Sequence, residues 1–316
     1  MQISAVVATA FGGPEVLSVV DLELADPKPG EVLVEVRAAG TNPIDYKVYS
    51  GHYGNDPASL PLRLGFEAAG IVLATGGELE GPSGPIRPGD EVIAYRVSGA
   101  YATAIIASAS SIIAKPEAMT FDEASGLMLT GATAVHALRA GNVTAGDTVL
   151  MHGAAGGVGL TAIQLAITDG ARVIATAGEA QHDLLRNLGA EPTTYGSGLL
   201  ERVKALTPEG VDAALDFVGT DEALDVSIAL VEDRDRIVTI VSSPRVGELG
   251  IKVIGGGPGA DPGTEIRAAA RLELVRRVEQ GSLRVIVDAT YPLSEVEAAH
   301  RELMSGHAHG KIVLIA

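Results

Sequence analysis

Residues 152 to 159 read His152-Gly153-Ala154-Ala155-Gly156-Gly157-Val158-Gly159. A mostly apolar run, 147–151, precedes them, and an apolar stretch with helical spacing, 160–167, follows. A strand, a glycine turn and a helix in this order are what a dinucleotide site needs, because a bound pyrophosphate must approach main-chain N–H groups at a helix N-terminus. Side chains larger than a methyl group would block that approach.

The turn follows the dinucleotide fingerprint G-x-G-x-x-G with one change, an alanine at the first position. The three fingerprint positions are held by Ala154, Gly156 and Gly159, and the residues between them are Ala155, Gly157 and Val158. We therefore predict that residues 154 to 159 contact the cofactor. An ordinary glycine-rich turn is the competing interpretation, and the alternation of strand-rich and helix-rich segments after the turn argues against it.

The composition indicates a globular protein. The chain has 316 residues, of which 47% are hydrophobic, and this is enough for two domains with well-filled cores. The longest apolar stretches, such as 102–114, contain Ser and Thr and are too short to cross a bilayer, so we predict no membrane span. The N-terminus has no basic segment and begins like a strand, which predicts no signal peptide and a cytoplasmic location.

Two further counts restrict the chemistry. The chain contains no cysteine, which excludes disulfides, thiolate metal sites and a cysteine nucleophile. Its 40 acidic and 23 basic residues give a net charge of −17, which would repel a polyphosphate backbone, so nucleic acid is not a predicted partner. Adaptation to salt or simple solubility also accounts for the acidic excess.

The secondary-structure pattern of the sequence changes near residue 120. Before it, short strands separated by Gly and Pro turns are typical of an all-β, partly open barrel. Thr120 and Glu123 then form a capping-box signature, and the alternation that follows predicts a doubly wound parallel sheet. We expect helix 265–280 and strand 311–315 to rejoin the first domain. The predicted domains are 1–120 with 262–316, and 121–261.

Several short motifs occur in a fixed order along the chain. They are 39–47 (Ala-Gly-Thr-Asn-Pro-Ile-Asp-Tyr-Lys), 50–53 (Ser-Gly-His-Tyr), 64–72 (Leu-Gly-Phe-Glu-Ala-Ala-Gly-Ile-Val), 87–92 (Arg-Pro-Gly-Asp-Glu-Val), 146–149 (Gly-Asp-Thr-Val), 210–212 (Gly-Val-Asp) and 310–313 (Gly-Lys-Ile-Val). In this order they resemble the zinc-independent quinone oxidoreductase branch of the medium-chain dehydrogenase/reductase superfamily. The resemblance implies an α/β fold, with a Rossmann-type doubly wound parallel sheet and a mainly β, GroES-like domain.

The resemblance also bears on metal. Alcohol dehydrogenases of the superfamily bind a catalytic zinc through a cysteine and a histidine, at positions held here by Asn42 and Phe66. Neither side chain can replace the original ligand, and a four-cysteine zinc lobe is impossible without cysteine. We therefore expect no metal, and reduction of an acceptor that is already activated, such as a quinone or an α,β-unsaturated carbonyl.

On the substrate side, the resemblance places the acceptor between the domains, against Asn42, Asp45 and Tyr53. Asn42 and Tyr53 can each donate a hydrogen bond to the acceptor oxygen, and Tyr53 has wall packing as its alternative. For Asp45, capping or bracing a turn is the alternative. Lys47 either contacts the acceptor or a cofactor phosphate, or is solvated. Tyr49 stands where the family often has arginine, which changes the electrostatics expected of the pocket.

On the cofactor side, the second strand of the nucleotide domain ends in Ala177-Gly178, with no carboxylate for a ribose 2′-hydroxyl. This favours NADPH over NADH, although Glu179 would repel a phosphate unless it points to solvent. Arg186 either reaches the phosphate or lies in water. The resemblance adds four cofactor-binding residues, which are His182, Tyr195, Thr133 and Lys311, and Tyr195 and Thr133 also have core packing as an alternative.

The histidines have simpler interpretations. We expect His136 to be buried and hydrogen-bonded in an apolar helix, and His152 to orient the glycine turn. His300, His307 and His309 lack the spacing and acidic partners of a metal site, so we expect them to be exposed to solvent.

Three functional hypotheses result. The first is an NADPH-dependent reductase that transfers hydride to a quinone or another activated carbonyl or alkene without zinc. The second is an enoyl-thioester or 2-alkenal reductase, and the third is a non-catalytic NADPH-binding sensor or structural protein. The resemblance also implies a homodimer formed through edge strands near 237–241 and 251–254.

Overall fold

The computed structural model describes residues 1–257, 259–306 and 308–316. Its strands are β1 (Gln2–Ala8), β2 (Leu17–Glu23), β3 (Glu31–Gly40), β4 (Leu62–Arg63), β5 (Glu67–Thr75), β6 (Leu79–Gly81), β7 (Gly84–Ile86), β8 (Glu91–Tyr95), β9 (Ala104–Ser108), β10 (Ile112–Ala114), β11 (Thr148–His152), β12 (Arg172–Thr176), β13 (Glu191–Thr193), β14 (Ala213–Asp216), β15 (Ile237–Thr239), β16 (Lys252–Val253), β17 (Val287–Pro292) and β18 (Lys311–Ile315). Its α-helices are α1 (Pro43–Tyr49), α2 (Phe121–Ser125), α3 (Met128–Ala140), α4 (Gly157–Thr168), α5 (His182–Asn187), α6 (Leu199–Leu206), α7 (Asp221–Leu230), α8 (Pro244–Leu249), α9 (Thr264–Glu279) and α10 (Val296–Ser305).

The chain forms two compact units. Unit 1 comprises residues 1–129 and 285–316, and unit 2 comprises residues 130–284. None of the helices in the described ranges is both long and apolar enough to span a membrane.

Unit 1 is built mainly of β-sheet. Its larger sheet has the order β10-β8-β5-β3-β18-β17, with β9 also paired to β3, and a smaller sheet has the order β2-β1-β4. The neighbours are antiparallel except for β17 and β18, which run parallel. Strand β18, from the end of the chain, therefore lies beside β3, from near its start, and this sets Lys311 next to the residues that open α1.

Unit 2 contains a six-stranded parallel sheet in the order β13-β12-β11-β14-β15-β16. Numbered within the unit, this is the 3-2-1-4-5-6 order of a doubly wound nucleotide-binding fold, which confirms the predicted fold class. Val149, Leu150 and Met151 of the central strand are fully buried, as expected of a parallel strand covered on both faces. The sequence predicts a short strand near 193–195, and the third strand lies two residues earlier, at Glu191–Thr193.

The placement of one helix in the first domain is wrong. Helix α9 lies in unit 2, where Arg267, Glu273 and Arg277 contact His136, Arg139 and Asp169 respectively. Gly131 permits a close approach, because a Cβ atom there would lie 2.6 Å from Cδ1 of Leu274. The capping-box signature at Thr120 also predicts one helix that runs towards residue 140, and in the structure this helix is interrupted. Thr120 and Glu123 form their capping box at the start of α2, and α3 begins separately at Met128.

Candidate functional site

The glycine turn connects β11 to α4 in unit 2. Gly153 adopts a positive φ of +66°, which an L side chain rarely takes, and Gly156 is the N-cap of α4 without any side chain to cap the first turn. A Cβ atom on Gly159 would lie 2.6 Å from the carbonyl oxygen of Ala154, so only glycine lets the helix start this close to the turn. Ala154 itself is fully buried. The first turn of α4 therefore offers main-chain N–H groups at a positive helix end.

The end of β12 lies next to this turn, since β11 and β12 are paired. Ala177 is buried, and a Cβ atom placed on Gly178 would meet nothing within 4 Å. Glu179 is exposed. The backbone at Gly178 thus leaves open space, and within the described stretch 176–179 the one acidic residue, Glu179, is exposed.

Three polar residues predicted for the adenosine end lie beyond β12. His182 begins α5, and its Nε2 is buried with no hydrogen-bond partner among the residues that the structure describes. Tyr195 is 65% exposed, and Arg186 pairs with Asp183 at 2.7 Å on the surface. Arg186 therefore lies in water, which is the alternative to reaching a cofactor phosphate.

His152 closes the central strand beneath the turn. It is buried, its Nδ1 lies 3.3 Å from the hydroxyl of Thr176, and its Nε2 has no partner within the described ranges. Burial lowers the pKa of His152 to about 4, against the opposing charges of Asp216 and Glu222, so the ring is neutral at pH 7. The contact between His152 and Thr176 joins β11 to β12.

Asp216, at the end of β14, is a residue that sequence reasoning missed. It is fully buried, one carboxylate oxygen accepts the N–H groups of Val218 and Gly219, and the other accepts the hydroxyl of Thr239 at 2.7 Å. It thus fixes the loop beside the glycine turn at the carboxyl edge of the sheet. An acidic residue directly after the apolar run 213–215 was the available signal.

Thr133 belongs to a second polar group in unit 2. Its hydroxyl accepts a hydrogen bond from Arg267 at 3.0 Å, and Arg267 Nε donates to His136 Nδ1 at 3.2 Å. His136 Nε2 then lies 3.3 Å from a carboxylate oxygen of Asp261. His136 is fully buried, which confirms its expected place, and burial lowers its pKa.

In unit 1, Asn42, Glu67 and Lys311 form a buried polar cluster. Lys311 Nζ donates to Thr41 O at 2.7 Å, to Asn42 Oδ1 at 2.7 Å and to Glu67 Oε1 at 3.0 Å. The amide group of Asn42 donates to Gly40 O and to Glu67 Oε1. Both amide hydrogens of Asn42 and all three donors of the ammonium are therefore in use inside unit 1.

Asp45 is fully buried on α1. Its Oδ2 accepts the N–H of Asn42 at 2.7 Å and the hydroxyl of Tyr101 at 2.8 Å, while its Oδ1 has no partner in the described part of the chain. Burial raises the pKa of Asp45 to about 7, although the hydrogen bonds from Tyr101 and Asn42 oppose the shift. By accepting the N–H of Asn42, Asp45 braces the turn that begins α1, which is the structural alternative expected for a short acidic residue after Asn-Pro.

The expected exposure of His300 is wrong. The residue is fully buried in α10, where its ring lies between Tyr49 and Tyr101, and burial lowers its pKa to about 4. His309 is half-buried, and His307 lies outside the described residues. Across the described residues, no group of three or more His, Cys, Asp or Glu side chains could hold a metal ion.

Tyr53 and Lys47 complete the predicted substrate side. Lys47 is half-buried in the last turn of α1, and Tyr53 is 45% exposed, with its ring edge-on to His52 at 5.0 Å. Asn42, Asp45, Lys47 and Tyr53 thus occur within one short stretch at and after α1.

Known proteins match the whole chain. Residues 28–117 match the alcohol dehydrogenase GroES-like domain, and residues 188–314 match the zinc-binding dehydrogenase domain. The quinone oxidoreductase of Pseudomonas aeruginosa is 35% identical over 326 residues, which cover 97% of each chain. The chain belongs to the quinone oxidoreductase family.

Solved structures of the family agree with the fold. The Escherichia coli quinone oxidoreductase, complexed with NADPH, is 32% identical over 99% of this chain and all of the other, with a TM-score of 0.85. The CurK enoyl reductase is 28% identical over 100% of this chain and 99% of the other, also with a TM-score of 0.85. These matches confirm the resemblance to the medium-chain dehydrogenase/reductase superfamily and both of its domain types.

Proposed function

We propose that the chain is an NADPH-dependent oxidoreductase that transfers hydride to a quinone or another activated carbonyl or alkene. The observation that carries this proposal is the uncapped glycine turn at the carboxyl end of β11, beside a β12 that ends in Ala177 and Gly178. Main-chain N–H groups of α4 would hold the pyrophosphate, and Gly159 keeps the approach clear. The cofactor, when bound, supplies the hydride, and the protein positions the reactants and excludes water.

The open space at Gly178 favours NADPH. A phosphate on the ribose needs room and donors, whereas a free 2′-hydroxyl needs a carboxylate partner. Gly178 provides room, and His182, four residues further on, has a buried Nε2 with no hydrogen-bond partner among the described residues and is our candidate donor. The family structure from Escherichia coli that contains NADPH supports the same choice.

We also propose that the reaction needs no zinc, although a domain of the chain matches a model described as zinc-binding. Asn42 and Phe66 stand where zinc enzymes of the superfamily have ligands, and the chain has no cysteine. Lys311 already places a positive charge 2.7 Å from Asn42 Oδ1 and 3.0 Å from Glu67 Oε1. A zinc ion at this position would be repelled by that ammonium, so the residues do not fit the metal.

On the acceptor side, hydrogen bonding and exposure distinguish the residues that are free to contact the acceptor from those that are not. Asn42 has both amide hydrogens bonded within unit 1, so it orders α1 and Glu67 rather than donating to the acceptor. Tyr53 and Lys47 are partly exposed, and we assign them contact with the acceptor or with a cofactor phosphate.

Nicotinamide absorbance tests the proposal. NADPH or NADH would be mixed with a small benzoquinone, a naphthoquinone, a 2-alkenal and an enoyl thioester. We expect NADPH to be oxidised by a quinone and to be preferred to NADH in kcat/KM. Turnover with the thioester alone would favour the enoyl-reductase hypothesis, for which the likeness to the CurK enoyl reductase is the supporting observation.

Two further results bear on the same proposal. Tight NADPH binding with no turnover across the panel would favour the non-catalytic sensor. Activity that survives exhaustive chelation, in protein free of zinc by metal analysis, would support metal-free hydride transfer, whereas loss that zinc restores would contradict it.

The oligomeric state is a separate part of the proposal. Strand β16 ends the described sheet of unit 2, so a homodimer through this edge would continue the sheet. The expectation that 237–241 also forms an edge is wrong, because β15 is paired on both sides, with β14 and with β16. Light scattering that gives the mass of a monomer would contradict it.

A further inference from the structure

A single arginine binds the loop that follows β13 in unit 2. Arg202, on α6, donates through Nη1 to the carbonyl oxygen of Ser197 at 2.7 Å. Its Nη2 lies 2.8 Å from the carbonyl oxygen of Thr194, 3.0 Å from that of Gly196 and 3.4 Å from that of Tyr195. One guanidinium thus bonds to the main chain of four consecutive residues.

A glutamate on another helix holds the same loop. Glu222, in the first turn of α7, accepts the N–H of Gly196 at 2.7 Å. Because Arg202 supplies a donor and Glu222 an acceptor, Gly196 is fixed at both its carbonyl oxygen and its N–H. Its φ of +90°, which an L side chain rarely takes, lets the chain turn here.

This loop lies at the carboxyl edge of the sheet, beside the end of β12. Thr193 and Thr176 are paired in register, and Ala177 N–H donates to Thr193 O at 3.1 Å. The N–H of Ala154, in the glycine turn, donates to Thr176 O at 3.1 Å. The turn, the end of β12 and the loop therefore follow one another along the edge at the spacing of neighbouring strands, about 4.8 Å. Ligands of open parallel sheets bind outside this edge, so a dinucleotide held at the turn can extend to the loop.

Tyr195 is the side chain that the loop exposes. At 65% exposure it is the most exposed of the large hydrophobic residues in the described ranges. Its backbone is held, because its own carbonyl oxygen and those of both neighbours bond to Arg202. A bare ring on a fixed backbone can stack on a flat ligand without the entropic cost of ordering the loop first.

We propose that Arg202 and Glu222 are positioning residues that hold Tyr195 against the adenosine half of NADPH, an inference that rests on the cofactor proposed above. Each acts through the backbone of the loop and not by touching the cofactor. Hydride leaves from the nicotinamide, at the other end of the cofactor. The two residues therefore govern how tightly NADPH binds and not how fast hydride is transferred.

Kinetics and fragment binding test this proposal. Arg202→Met keeps the apolar stem and removes all the donors. With a quinone as acceptor, we expect KM for NADPH to rise at least tenfold, while kcat stays within about twofold of that of the unaltered protein. In calorimetric titrations, the affinity for adenosine 2′,5′-bisphosphate should fall by the same factor. With reduced nicotinamide mononucleotide as the hydride donor, kcat/KM should be unchanged, because this donor has no adenosine.

A double variant shows whether Arg202 acts through Tyr195. Tyr195→Ala should weaken adenosine 2′,5′-bisphosphate binding about as much as Arg202→Met, and because the side chain is exposed this variant should fold. The two changes remove one contact, so the double variant should lose little more affinity than either single variant. Tyr195→Phe, which keeps the ring, should bind as the unaltered protein does.

Conservative variants test the bond from the glutamate. Glu222→Gln keeps an oxygen that can accept the N–H of Gly196, and it should bind NADPH normally. Glu222→Ala loses that acceptor and should weaken binding of NADPH and of adenosine 2′,5′-bisphosphate together. Equal affinities in these two variants would overturn the role of Glu222.

The matched control is an arginine at the opposite edge of the same sheet. Arg236 lies directly before β15 and donates to the carbonyl oxygens of Gly141 and Asn142 at 3.3 and 3.1 Å. Arg236→Met removes the same kind of bond at the amino edge of the sheet. It should lower stability and leave the affinities for NADPH and for adenosine 2′,5′-bisphosphate unchanged.

The outcomes separate this inference from the function on which it rests. Folded Arg202→Met protein that binds adenosine 2′,5′-bisphosphate normally would overturn the positioning role. Losses that add in full in the double variant would overturn it as well, since Arg202 would then act apart from Tyr195. If the unaltered protein binds NADPH but reduces no quinone or alkene, the proposed reaction fails, and the fragment titrations still decide the positioning role. An unaltered protein that does not bind NADPH would overturn both.

Discussion

Lys311→Met removes a buried positive charge and leaves a buried negative one. Lys311 is 3% exposed and Glu67 is fully buried, and their charged atoms are 3.0 Å apart. Methionine keeps the length of the apolar stem, so the change deletes three hydrogen bonds rather than the packing. Glu67 then still accepts hydrogen bonds from the amide of Asn42 and from the N–H of Leu129.

The expected loss is large because the remaining charge is desolvated. Removing one partner of a buried ion pair costs about 3–5 kcal/mol, whereas replacing both partners by neutral groups is often close to neutral. We therefore expect Lys311→Met to lower the free energy of unfolding by about 3–5 kcal/mol, and the double variant with Glu67→Gln to recover much of that loss.

Urea denaturation measures this prediction, with the slope against denaturant checked for constancy. Lys115→Met is the control. Lys115 is also buried and donates to two carbonyl oxygens, but its partner Glu91 is half exposed and can be solvated once the lysine is gone. We expect a loss of about 1–2 kcal/mol there. A Lys311→Met protein within 1 kcal/mol of the unaltered one would refute the reasoning.

Three other predictions test the cofactor side and the buried acid. The pKa of Asp45 is raised from 3.8 to about 7, so its stabilising contribution is present below about pH 4 and is lost as pH rises to 7. Because the lowered pKa values of His152 and His300 act in the opposite direction, the loss is measured as a difference: relative to Asp45→Asn, the free energy of unfolding of the unaltered protein should fall by about 4 kcal/mol over this range. Gly159→Ala should weaken NADPH binding at least tenfold in a fluorescence titration, because its Cβ would lie 2.6 Å from Ala154 O, whereas Gly178→Ala should bind normally, since nothing lies within 4 Å of its Cβ. Gly178→Asp should lower the NADPH-to-NADH ratio of affinities at least tenfold by placing a carboxylate against the 2′-phosphate, and an unchanged ratio would contradict the assignment of that strand end.

The features predicted correctly are local in sequence. The glycine turn, β11 and α4 lie within 21 consecutive residues, 148–168, and each is marked by its own pattern of apolar residues and glycines. The capping box at Thr120 is local too, and it formed as expected. Helix α9 is different, since its partners Gly131, His136 and Asp169 lie about a hundred residues or more earlier. The sequence of residues 265–280 indicates a helix, but it carries no information about which unit that helix packs against.

The same distinction separates the site residues. Bracing by Asp45 was predictable because the contact with Asn42 spans three residues. The environment of His300 was not, because its partners Tyr49 and Tyr101 are 251 and 199 residues away, and a polar residue near two other histidines looks exposed. Asn42 shows a further limit. Its amide type suggested a donor to the acceptor, and only the structure reveals that Glu67 and Gly40 already take its hydrogens.

The charges in the buried cluster that contains Asp45, Glu67 and Lys311 depend on one another. The cluster holds two buried carboxyl groups and a single ammonium, and the ammonium bonds directly to Glu67 and not to Asp45. One carboxylate is therefore compensated, and ionisation of the second would leave a net negative charge out of contact with water, which burial disfavours. Asp45 is the neutral member because its charge has only neutral donors as direct partners. Lys311→Met should consequently raise the pKa of Asp45 further, and in protein that remains folded the loss of stability with rising pH that depends on Asp45 should extend to higher pH. A loss that ends at the same pH would show that Lys311 does not influence the pKa of Asp45 and compensates only Glu67.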